Sequence, residues 1–186
     1  MGVNIRGWIE ARDAKLDAPF NEVKWCGVVK VDFLLHRNTN AFGCLFGVGN
    51  PSHFVPVAVE RGLPPDQSEE VEADAKEQEW CFGHSWVTWW ELKQVDWDES
   101  VIDAFVRRYK KNEKGEWVSD GGFIPDTATD HTEGNTWDDG EYLNKVEHLS
   151  RADAVKETFD LVFGLMERMA KDFGDESVRL VVWFDG

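Results

Sequence analysis

The stretch SRADAVKETFDLVFGLMERMAKDFG followed by VRLVVWFDG restricts the fold more than any other part of the chain. Its first part carries Val155, Phe159, Val162, Phe163 and Met166 on one broad face. That pattern predicts a long amphipathic helix, capped by Ser150 with Asp153 three residues on and stopped at Gly174. The second part is apolar at almost every position, so it predicts a strand that hides both faces and stands inside a sheet rather than at its edge. At the other end VNIRGWIEAR alternates large apolar with polar residues, and WCGVVKVDFLL is a β-branched run. Both predict strands, forming a hairpin around a turn near LDAPFNE. The expected fold is therefore α+β: a mixed or antiparallel sheet that includes both terminal strands, packed by helices. With 186 residues the chain fits a single domain, 1–186.

Between these ends the punctuation is less regular. RNTNAFGCLFGVGN has Phe42, Leu45 and Phe46 at helical spacing behind Asn38 or Asn40 as a cap, and Gly49 and Pro51 end the pattern. HFVPVAVERGLPPD is a loop broken by Pro and Gly. In DQSEEVEADAKEQEW, Asp66 and Glu69 have the spacing of a capping-box variant with an acidic first turn. DESVIDAFVRRYKK places Val101, Ile102, Phe105 and Val106 on one helical face. The Gly- and Asp-rich segment after it, 119–142, has no clear period and predicts a long acidic surface loop of the kind that forms a lid or binding loop.

Charge narrows the function classes. Lys plus Arg number 20 and Asp plus Glu 36, a formal charge of −16, and such a field repels nucleic acid backbones and anionic membranes. No direct nucleic acid partner and no membrane partner are expected. No apolar run approaches the length of a bilayer span, and MGVNIRGWIEAR lacks the apolar core of a signal peptide. Cys26, Cys44 and Cys81 lie beside apolar residues and suit buried thiols in a reducing cytoplasm.

GHSWVTWWELKQVDW sets four tryptophans around one histidine and one serine. Thr88 and Glu91 form a capping box, T-W-W-E, which starts a helix at Thr88 and leaves GHSWV extended or looped. Trp89, Trp90 and Trp97 are then expected in the core, while Trp86, before the cap, is placed to line a pocket. Ser85 and His84 are the right types for nucleophilic catalysis. Neighbours in an extended segment nevertheless point to opposite faces, and G-x-S-x-G is missing, so no catalytic residue is assigned. The five histidines show no H-x-x-x-H spacing; Asp126, Asp130 and Glu133 do not match a calcium-loop register; and no phosphate-loop motif occurs. No metal site and no cofactor are expected. What remains are basic and amide side chains in acidic surroundings, namely Arg6, Arg37, Asn38, Arg61 and His84. They suit a small anion where they converge, and otherwise pair with acids such as Glu10 or Glu60.

The blocks MGVNIRGWIEAR, RNTNAFGCLFGVGN, ERGLPPDQSEEV, GHSWVTWWELKQVDW and VRLVVWFDG resemble, in this order over nearly the whole chain, a family of uncharacterised proteins of bacteriophages and bacteria whose members begin MGCDIH. The later family blocks read RNYDLFALLAGVRN, RGLPDDVSPEV, HSHSWLTLAELL and VRIVFWFDN. Where that family has cysteine, aspartate and histidine, this chain has Val3, Asn4 and Arg6, and its HSW block keeps one histidine. Amide, guanidinium and imidazole groups suit an anion better than a divalent cation.

The resemblance implies a phage setting in the host cytoplasm, and the residues imply capture. The resulting expectation is a non-enzymatic protein that sequesters a small anionic, nucleotide-derived signal, such as a cyclic nucleotide or an ADP-ribose derivative, to counter host defence. Its ligand set would be Asn4, Arg6, Arg37, Asn38, Arg61, His84, Ser85 and Trp86, and a symmetric homo-oligomer would suit it. The alternatives are a hydrolase or phosphodiesterase using His84 with Asp96 or Asp185, and an acidic decoy that imitates DNA.

Overall fold

The computed structural model describes residues 2–12, 23–124 and 134–186. Its architecture is α+β. The central antiparallel sheet has the order β2-β1-β10-β3, with β1 Asn4–Ala11, β2 Cys26–Lys30, β3 Phe82–Thr88 and β10 Val178–Asp185. Both terminal strands lie in the middle of the sheet, paired from Asn4↔Asp185 to Ala11↔Val178. β1 and β2 are antiparallel neighbours as expected of a hairpin, although the turn near LDAPFNE falls outside the described residues.

Strand alternation divides β10 between two cores. Val178, Leu180, Val182 and Phe184 face the main core with Ile5 and Ile9 of β1. That core is closed by α1 (Thr39–Phe46) and by α4 (Arg151–Phe173), which presents Phe159, Val162 and Met166 fully buried. Phe42 meets Phe184 edge-on at 5.4 Å between centroids, a favoured aromatic geometry. The other face carries Val181 and Trp183, covered by Val71 and Ala75 of α2 (Glu69–Glu77). Apolar cover on both sides is why nearly every residue of β10 is hydrophobic. Gly7 makes the close pairing possible, since a Cβ there would stand 2.0 Å from the Val181 carbonyl oxygen.

The caps explain where the helices begin. Asn38, not Asn40, caps α1 by accepting from the Ala41 N–H, and Ser150 caps α4 through the Asp153 N–H. α2 is capped by Ser68 rather than Asp66, whose carboxylate is engaged by Arg179 instead. The capping box at Thr88 and Glu91 is present, but the helix it starts, α3 (Trp89–Leu92), runs for only one turn. Trp89 and Trp97 pack on the main core, whereas Trp90 is 47% exposed, contrary to expectation. Cys26 is likewise exposed, while Cys44 and Cys81 are buried.

DESVIDAFVRRYKK is not a helix. It forms β4 (Ser100–Ile102) and β5 (Val106–Lys111), separated by a turn in which buried Asp103 accepts from the Phe105 N–H and from Arg107. An Asp bonding its own downstream backbone breaks the helical ladder, and Ile102 turns outward while Val106 is buried. The segment 119–142 is not one long loop either. β6 (Trp117–Phe123) and β7 (Thr136–Asp138) belong to a second antiparallel sheet, β6-β5-β8-β7, with β8 at Leu143–Lys145. Nearly all of β6 faces solvent, so its sequence shows no hydrophobic alternation. The last short strand, β9 (His148–Ser150), pairs with β4.

Candidate functional site

The face of the central sheet beneath α2 carries two arginine–carboxylate groups, one toward each end of the β1–β10 pair. At the Ala11 end, Glu10 and Arg179 are register partners and almost fully buried. Arg179 Nε donates to Glu10 at 2.6 Å, and its Nη1 donates to Asp66 at 2.7 Å. The Ser68 N–H donates to the second Glu10 oxygen, and the guanidinium lies 3.8 Å from the Trp25 ring centroid. Burial raises the Asp66 carboxyl pKa, but hydrogen bonds from Arg179 and from the Trp25 ring N–H outweigh it and hold the pKa low. Glu10 and Arg179, buried and bonded to each other, are a structural tie, while Asp66, its side chain 56% exposed, borders a cleft of about 790 Å³ with Trp25 and Ser68.

At the Asn4 end the same pairing opens to solvent. Asn4 and Arg6 both donate to Asp185, and Arg6 also reaches Asp32 at 3.5 Å. Asp32 is anchored by the Gly7 N–H at 3.0 Å. Lys30 bridges to Asp74 at 2.6 Å, and Asp74 also accepts from the Trp8 ring N–H. The hydrogen bond to Asp185 holds the Arg6 pKa high; bonds from Asn4 and Arg6 outweigh burial and depress that of Asp185. Arg37 completes the group, its Nε donating to the Asn4 side-chain Oδ1 at 2.7 Å. Among the described residues no carboxylate forms an ion pair with Arg37. Its Nη1 lies over Gly2, where a Cβ would approach to 2.6 Å. Asn4, Arg6 and Arg37 line two adjoining clefts of about 420 and 450 Å³.

The expected ligand set therefore divides. Asn4, Arg6 and Arg37 come together. Arg61 and Trp86 form a second group, with the guanidinium 5.3 Å from the indole centroid and bonded to Glu91 at 2.8 Å. His84 stacks on fully buried Trp183, the register partner of Arg6, so the sheet's own core separates His84 from Arg6. Burial lowers the His84 pKa and favours the neutral ring. Neither cleft at Arg6 includes Arg61, His84 or Trp86, so the eight residues do not share one cavity. Two of them are structural. Asn38 is occupied as the α1 cap and by Ala154 and Thr158, and Ser85 is buried on the opposite face, donating to the Ala58 carbonyl. Serine and histidine thus point to opposite faces of β3, as the alternation argument requires.

The clefts also hold residues outside the expected ligand set, among them Asp32, Phe33, His36 and Trp80. Phe33 belongs to a run that looks like strand, but β2 ends at Lys30 and leaves it on a turn, 95% exposed. Trp80, beyond the end of α2, is 69% exposed. Both are ordinary core residues by type, and only their placement marks them.

Asp96, the proposed partner of His84, lines a separate groove with Trp90 and Val55. Among the described residues no group of three or more His, Cys, Asp or Glu side chains is placed to hold a metal ion. Asp126, Asp130, His131 and Glu133 lie outside the described residues. No helix among the described residues is long and apolar enough to cross a membrane. Comparison with known proteins gives no match: no family model, no curated protein and no solved structure matches the chain.

Proposed function

We propose that this protein is a non-enzymatic capture protein for a small anionic, nucleotide-derived molecule, bound at the Asn4–Arg6–Arg37 clefts. The observation that supports the reading most is Arg37. Arg6 is paired with Asp185 and Asp32, and Arg61 with Glu91, whereas among the described residues Arg37 stands in both clefts hydrogen-bonded only to a neutral amide, with Asp185 near enough to feel its charge but not ion-paired to it. A guanidinium with open donors is suited to a phosphate oxygen. The exposed rings of Phe33 and Trp80 add surfaces on which a base can stack. The phage anti-defence setting rests on the resemblance of the sequence blocks. Sequestration works by mass action and needs affinity and abundance rather than turnover. A symmetric homo-oligomer suits that role, and sedimentation of the purified chain tests it.

The hydrolase alternative has weaker support, since His84 stacks on Trp183 while Asp185 is bonded to Asn4 and Arg6. One experiment separates the two. The protein is incubated with cyclic AMP, cyclic di-AMP or ADP-ribose, washed and heat-denatured, and the released molecule is identified by mass spectrometry. Intact ligand, lost in Arg37→Ala, supports capture; a cleaved product overturns it.

A further inference from the structure

The site has two lobes, and their shape narrows the ligand class if the capture reading above is right. Asn4, Arg6 and Arg37 form the wall common to both clefts. The first lobe extends over Asp32 and His36 to Phe33, on the β2 side of β1. The second extends over Asp185 and Gly186 to Trp80, on the β10 side. The lobes are similar in volume, at about 420 and 450 Å³, and each has one large ring turned to solvent. Among the described residues neither Phe33 nor Trp80 stacks on another ring or lies beneath a cation, although many of the chain's other aromatic residues do. Each lobe also has one side-chain carboxylate, Asp32 or Asp185, and both are bonded to Arg6.

We infer that the site takes a ligand with two aromatic bases joined through a phosphodiester, one base in each lobe and the bridging phosphate on Arg37. The two large exposed rings set the number of bases, because each lobe offers one six-membered or indole stacking surface, with the smaller His36 imidazole beside Phe33 in the first, and the surfaces flank a shared cationic wall. The carboxylates set the kind of phosphate. A diester carries one negative charge per phosphorus, whereas a terminal monoester carries nearly two and meets more repulsion from Asp32 and Asp185. A ligand this short does not present the long phosphate array that a chain of charge −16 repels. Linear and cyclic dinucleotides share this chemistry, and separate probes distinguish them.

The test is calorimetric titration of the whole chain with four probes: adenylyl-adenosine (two bases, one diester), cyclic di-AMP (two bases, a closed ring), cyclic AMP (one base, one diester) and AMP (one base, a monoester). The expected result is that at least one two-base probe binds tenfold or more tighter than cyclic AMP, with AMP weakest. Phe33→Ala and Trp80→Ala should each weaken the two-base probe about tenfold, the scale of one lost stack. Only one of them should affect cyclic AMP. Both side chains are exposed, so an unchanged melting temperature shows that the fold is intact. Equal binding of one-base and two-base probes, with both lost in Arg37→Ala, overturns the two-base inference and leaves capture standing. Two-base binding indifferent to both ring substitutions also overturns it. Absence of binding by all four probes and by ADP-ribose removes the capture reading itself.

Discussion

The two ends of the β1–β10 pair have the same parts and opposite surroundings. Each sets an arginine of one strand against a carboxylate of the other on a single sheet face: Glu10 with Arg179 at one end, Arg6 with Asp185 at the other. At the first end Trp25, Asp66 and Ser68 close over the pair. At the second the cover stops, the Arg6 side chain is 36% exposed, and Arg37 projects into the opening. An ion pair in a protein core is therefore a weak sign of function, and the same chemistry at the rim of a sheet is where a ligand has room to exchange with solvent.

The largest way to break this comparison is at the closed end. Arg179→Ala leaves Glu10 buried and unpaired, and should remove about 3–5 kcal/mol of stability in urea denaturation at neutral pH. A loss comparable to that of a surface pair would mean the closed end is not closed. At the open end Asp185→Asn should cost no more than about 1 kcal/mol, because the pair is partly solvated. Its pH dependence sharpens the contrast. The folded-state pKa of Asp185 is depressed, so its stabilisation is present above the ordinary carboxylate value of about 4 and is lost as pH falls through the folded value. Acid titration of stability should be shallower in Asp185→Asn than in the parent.

His84 works in another window. Its folded pKa is lowered by burial, so protons favour the unfolded chain, and stability should decline as pH falls below about 6.5 until the folded value is passed. His84→Gln should flatten that decline, read by melting temperature between pH 7.5 and 5. Smallest of all is Arg37→Ala, which should leave stability within about 0.5 kcal/mol. A larger loss would assign Arg37 to the fold rather than to the clefts.

Much of the fold was legible because it follows from hiding apolar surface. β10 reads as a two-faced strand, and α4 carries its stripe, cap and stop in plain view. The errors lie where hydrophobic period carries no information. β4 and β5 share apolar residues that also fit a helix, and the deciding feature is Asp103, whose role appears only once its backbone partners are known. β6 is solvent-facing along almost its whole length, so nothing alternates. Residue type was enough to group Asn4, Arg6 and Arg37, which the fold brings to common clefts. It was not enough to exclude Asn38 and Ser85, because capping and buried hydroxyl bonds use the same donors and acceptors as ligand binding. The exposure of Phe33 and Trp80 beside the clefts was not legible for the converse reason: an aromatic side chain is assigned to a core by default, and its exposure is a tertiary fact.

The pairing of β1 with β10 also bears on how the chain reaches this state. Asn4 meets Asp185 across 181 residues of sequence, and the contacts along this strand pair are of comparable span. Loop closure over such distances makes β pairing slow relative to local helix formation. During synthesis β1 has only β2 to pair with, at Trp8–Ala11, until residues 178–185 have left the ribosome. The expected order is helices first and sheet last, and refolding rates that fall as protein concentration rises would report it.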